Sequence, residues 1–143
     1  MKVLKVVTHP FTLLISFFMI LISGEHWGGF YLLYLLLGLP HGAIHSILAL
    51  IGVSLILLSN YKYKRNRFTF FEYALNISGA FLLILSLFLF FSNDRRQYNY
   101  GTFNQWIPLC TLGLFSIIAI CYLGQTIFRL FSRDPGDHLS LKT

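Results

Sequence analysis

Charge is what this chain has least of. Only 11% of its 143 residues are Asp, Glu, Lys or Arg, and just five of them are acidic, too few to clothe the surface of a water-soluble domain of this length. Cysteine is scarce too. Cys110 and Cys121 are the only two; eleven residues apart in one apolar block, they would sit about 16 Å apart along a helix, beyond disulfide reach, and they read as small packing residues. The chain contains no G-x-S-x-G, no Walker loop and no C-x-x-C. The usual sequence grounds for a serine hydrolase, a nucleotide-binding protein or a dithiol enzyme are therefore missing.

Apolar side chains fill the space: 56% of residues are hydrophobic and the mean hydropathy is +0.68. They gather into four blocks, and about 20 residues of helix suffice to cross a hydrocarbon core of about 30 Å. The expected fold is all-α: a polytopic integral membrane protein with four transmembrane helices over about 6–23, 40–59, 68–92 and 106–131. Lipid leaves loose backbone groups unsatisfied, so helices are expected throughout and strands are not. Residues 27–38 are too short to cross and read as an interfacial or re-entrant helix between the first two spans, with one long helix kinked at Pro40 as the alternative. Residues 1–131 then form a single transmembrane domain, and 132–143 a polar tail. Lys2 and Lys5 precede the first block as in a secretory signal, but no A-x-A-like site follows, so the block reads as a retained helix.

The basic residues set an orientation. With four spans, nine Lys and Arg fall on one side and two on the other, which places both termini and the link YKYKRNR (61–67) in the cytoplasm. A complete extra span at 27–38 would turn that link outward. The net charge of +6 is concentrated at a membrane edge flanked by tyrosines, a pattern suited to anionic lipid headgroups and not to nucleic acid. The Lys-, Asn-, Phe- and Ile-rich composition suggests an AT-rich genome, hence a bacterial cytoplasmic membrane.

Small residues at helical spacing mark the faces on which membrane helices meet. One stripe combines Gly42, His45, Ser46, Ala49 and Val53, with Gly52 at its margin. A second takes Asn76, Gly79, Leu83 and Ser86; a third takes Cys110, Gly113, Ile117, Cys121 and Gly124. Three stripes suit a compact bundle and equally suit docking on a larger partner. At the cytoplasmic level Arg65, Arg67, Glu72, Gln125 and Arg129 are expected to form a polar network, with Glu72 as an ion-pair partner or part of an interface or proton path.

The stretch SGEHWGGFYLLYLLLGLPHGAIHS (23–46) holds three of the five histidines. If a helix follows Pro40, His41 and His45 stand one turn apart on one face, a spacing that two imidazoles can use to share a metal, with Glu25 and His26 at the same level as further ligands. The general-base Glu of HExxH is absent, since Gly42 stands in its place. Against a metal site stands the plainer reading of LPHG as a tight helix-entry turn with His45 hydrogen-bonding between helices. Haem b would need ligands from two sides, which only His26 with His45 offers; quinone contact and proton transfer complete the alternatives. The function expected from all this is a small non-catalytic membrane subunit or accessory protein packed against a larger integral membrane protein or complex. The alternative is a ligand-carrying or conducting protein that uses the Glu/His cluster for a divalent metal, haem, quinone or proton.

Overall fold

The computed structural model describes residues 2–24, 28–63, 70–93 and 98–132. They form, in chain order, α1 (Lys2–Val7), α2 (Pro10–Phe18), β1 (Leu21–Ser23), β2 (Gly28–Phe30), α3 (Tyr31–Gly38), α4 (Ile44–Tyr63), α5 (Phe70–Ser92), α6 (Gly101–Asn104) and α7 (Trp106–Phe131). Among the described residues three helices, α4, α5 and α7, are long and apolar enough to cross a membrane. They run between two ends of the molecule. The hairpin end holds β1, β2, α3 and α6; the tail end holds the start of α2, the end of α4, the start of α5 and the end of α7.

The first apolar block is not one helix. Pro10 restricts the residue before it to extended backbone, and His9 takes that conformation, capping α2 as its Nδ1 accepts the Phe11 N–H at 3.3 Å. Pro10 then occupies the first turn of α2, where its missing N–H costs least. Nine residues later the helix ends, at about 13 Å of length, and the chain continues as β1, which pairs antiparallel with β2 in the register Leu21↔Phe30, Ile22↔Gly29, Ser23↔Gly28. Strands were not expected, because a free strand edge is costly in an apolar medium. Here the edge is covered: the Leu21 N–H donates to Thr111 Oγ1 at 3.0 Å and the Ser23 N–H to Thr102 Oγ1 at 2.9 Å. Helix α6 supplies the first-turn hydroxyl, Thr102, which is fully buried; Gly101 beside it lets the chain come so close that a Cβ there would lie 2.9 Å from the Ser23 carbonyl oxygen.

The Pro40 turn also differs from expectation. It ends α3 and does not open the next helix. The Ala43 N–H bonds the Gly38 carbonyl at 3.0 Å and the Gly42 N–H bonds that of Leu39 at 3.1 Å, the paired bonds of a Schellman C-cap, and Gly42 has the left-handed φ of +66° that this cap demands. Helix α4 starts only at Ile44. Residues 31–63 are thus two helices with a capped turn between them, not one kinked helix, and Gly42 is a capping residue outside the α4 packing stripe.

Helices α4 and α5 form an antiparallel pair whose backbones meet at Gly52 and Gly79. A Cβ on Gly79 would fall 2.7 Å from Ile56 Cγ1 and 2.8 Å from the Gly52 carbonyl oxygen, so only glycine permits the approach. Ala49, Asn76, Leu83 and Ser86 are buried on these two helices, and Ser46 is buried with its hydroxyl toward Gly38 of α3. The third stripe is turned the other way. Helix α7 buries Phe115, Ile118, Ala119, Tyr122 and Thr126, while Gly113, Ile117 and Gly124 are exposed and a Cβ on either glycine would meet nothing within 4 Å. The larger apolar side chains decide the rotation of α7. Phe115 packs on Phe17 of α2 with ring centroids 5.4 Å apart, and Phe17 meets Tyr31 edge-on at 5.3 Å.

Candidate functional site

Two polar clusters interrupt the apolar interior, one toward each end. At the hairpin end the Tyr31 hydroxyl and Ser86 Oγ are 2.9 Å apart, and Ser86 Oγ donates to the His45 carbonyl at 2.8 Å. This chain ties α3, α5 and α4 together. Phe90 packs edge-on against both Tyr31 and His45, at 5.1 and 5.2 Å. One turn of the fold away, Ser46 Oγ is buried without a hydrogen bond to any described residue and presses on the bare backbone at Gly38. Every ring and hydroxyl here, Ser46 apart, is occupied in holding elements together.

The histidines do not form the helical pair that their spacing predicts. His41 is exposed in the cap of α3, where its Nδ1 lies 2.8 Å from the Leu37 carbonyl oxygen, whereas His45 is half-buried in the first turn of α4. The left-handed turn at Gly42 separates them. Glu25 and His26, the other two metal candidates, lie outside the described residues. Among the described residues no three His, Cys, Asp or Glu side chains come together as a metal would require.

The tail end is built differently. Asn76, buried one turn after Glu72 on α5, donates from Nδ2 to Ser59 Oγ of α4 at 2.7 Å. Its Oδ1 accepts the Tyr122 hydroxyl of α7 at 2.8 Å. Ser59 Oγ in turn donates to the Glu72 carbonyl at 3.1 Å. One amide thus joins all three long helices, with donor and acceptor both used. Above this floor opens a cavity of about 440 Å³. Helix α7 faces it with Tyr122, Gln125, Thr126 and Arg129, spaced three and four residues apart on one side of the helix; Asn60 lines it from α4, Tyr73 and Asn76 from α5, and Thr8, His9 and Pro10 from the α1–α2 corner.

Of the network expected at this level, Gln125 and Arg129 line the cavity. Glu72 is buried beside it with an interaction of its own, and Arg65 and Arg67 lie outside the described residues. Asn76, expected on a packing face, is the hub. Motif and spacing in the sequence do not mark Thr8, His9, Asn60, Tyr73 or Tyr122. Each is a polar side chain inside or bordering an apolar block, which is the one local signal that they carry.

Arg129 supplies a fixed positive charge, and no carboxylate lines the cavity among the described residues. His9 accepts at Nδ1, which leaves Nε2 as the ring's donor position. The chemistry on offer is a ring of neutral amides and hydroxyls around one cation, a lining that suits an anion better than a metal ion. No family model, curated protein or solved structure matches this chain.

Proposed function

We propose that this is a small non-catalytic integral membrane subunit that docks, through the outward face of α7, on a transmembrane helix of a larger membrane protein or complex. The observation that supports it is the pair Gly113 and Gly124. They stand three turns apart on one face with Cys110 and Ile117, and no described residue uses the space their missing side chains leave. A glycine inside a helix costs about 1 kcal/mol relative to alanine, and on a face that meets only lipid nothing offsets that cost. Between lipid-immersed helices, small residues that allow close backbone approach are what favour association.

In this reading the N-terminal segment completes a fourth crossing as helix α2 followed by β1. Thr8 and His9 share the cavity with Thr126 and Arg129, and Leu21 bonds Thr111, a separation on α7 of about 22 to 27 Å. The excess of Lys and Arg then puts both termini and the 61–67 link in the cytoplasm, in a bacterial cytoplasmic membrane.

Purification in a gentle detergent tests the reading. A stoichiometric membrane-protein partner should accompany the chain, identified by mass spectrometry, and Gly113→Leu with Gly124→Leu should release it while the subunit's own melting transition stays in place. A chain that runs alone as a monomer, or a partner retained by the double variant, contradicts the proposal. A symmetric homodimer through α7 contradicts it as well.

A further inference from the structure

We propose that the tail end binds an anionic amphiphile: its phosphate enters the polar cavity and one of its chains lies in an apolar groove beside it. The groove, about 590 Å³, runs along the outside of α4 and is lined by Phe11, Ser54, Leu57, Leu58, Asn60 and Tyr61. Asn60 lines both spaces, and Phe11 of the groove follows Pro10 of the cavity, so polar and apolar compartments adjoin along one wall. A soluble anion needs only the first compartment. A ligand that uses both must carry a charged head and a hydrocarbon chain.

Position argues the same way. Asn60 and Arg129 stand in the closing turns of the apolar spans Ile44–Tyr61 and Trp106–Phe131, the depth at which phospholipid headgroups meet the hydrocarbon. Arg129 is exposed toward the cavity mouth, and neither it nor Gln125 hydrogen-bonds another side chain among the described residues. The guanidinium fork matches two phosphate oxygens at once. Gln125 and His9 Nε2 add neutral donors. Glu72, at the same end, does not line the cavity. Tyr122 and Asn76 satisfy each other, so the floor stands without a ligand and the space above it is left for one.

Native mass spectrometry of the purified full-length chain in mild detergent tests this with three probes: dioleoylphosphatidylglycerol, dioleoylphosphatidylcholine and glycerol phosphate. The wild type should retain phosphatidylglycerol in preference to phosphatidylcholine and retain no glycerol phosphate. Arg129→Gln should weaken phosphatidylglycerol retention about tenfold, as loss of one charged hydrogen-bonding group predicts, and erase the preference; Arg129→Lys should restore part of it. Leu57→Trp, which fills the groove, should weaken both lipids alike. Melting curves confirm that each variant is folded, and Arg129→Lys keeps the test decisive should Arg129→Gln fold poorly. Equal retention of the two lipids by the wild type overturns the proposal, as does phosphatidylglycerol retention unchanged in Arg129→Gln. Glycerol phosphate competing as well as the lipid overturns it in favour of a free anion.

Discussion

Helices α5 and α7 carry the same signal and use it in opposite ways. Each is a long apolar helix with small residues at helical spacing. On α5 the small residue, Gly79, lies against the backbone of α4, where a single added carbon would collide with Ile56 and the Gly52 carbonyl oxygen. On α7 the small residues, Gly113 and Gly124, face outward with nothing within 4 Å of an added carbon. A glycine in a membrane helix therefore marks a place where another backbone is allowed to come close. Whether that backbone belongs to the same chain is a separate question, decided by which neighbouring face the larger side chains claim first.

Substitution can break this contrast or sharpen it. Gly79→Leu should have the largest effect. Overpacking of a filled seam costs about 1–3 kcal/mol, and with the Gly52 carbonyl so near, the upper end or outright misfolding is expected, read as a lowered melting transition in detergent. Asn76→Leu should follow. It leaves Ser59 and the Tyr122 hydroxyl without their partner at a cost of about 1–3 kcal/mol, moderated in a membrane because unfolded helices also find partners; a double-mutant cycle with Tyr122→Phe should show the two losses to be less than additive. Thr102→Val, which leaves the Ser23 N–H uncovered, is expected to cost about 1–2 kcal/mol and to speed hydrogen exchange at the β1 amides selectively.

Gly42→Ala separates conformational need from steric need. No atom lies near an added carbon there, but the positive φ makes alanine unfavourable by about 1 kcal/mol. The smallest effect on the isolated chain belongs to Gly113→Leu, which should leave the melting transition within about 0.5 kcal/mol of wild type. If Gly113→Leu instead destabilises the monomer as Gly79→Leu does, α7 is packed differently and the contrast fails.

The three long helices were legible because crossing a bilayer requires about twenty apolar residues in a row, and α4, α5 and α7 each have them. The tail-end cavity was legible in part. Arg129 and Gln125 betrayed it because charge and amide are expensive inside an apolar run, but His9 and Asn60 look like ordinary residues at a helix boundary until α2 and α4 bring them together. Nothing at Met19 or Ile20 signals that α2 should stop. The strand that follows is favoured only because Thr102 and Thr111, some 80 to 90 residues further on, cover its edge. Likewise HGAIH has the spacing of a metal pair on a helix, and its failure to form one follows from Gly42 serving the cap of α3.

Composition and hydrophobic runs by themselves determined that this is a helical, membrane-compatible chain, where its long spans lie, and that its cations crowd the links and ends. Those properties follow from transfer free energies and from length, which act residue by residue. Tertiary structure alone decided that the first apolar block divides into a helix and a strand, which face of α7 turns outward, and that Asn76 joins three helices at the floor of a shared cavity. Each of those outcomes depends on a partner distant in sequence supplying a hydroxyl, a ring or a bare backbone at the right place, and no local pattern encodes where that partner will be.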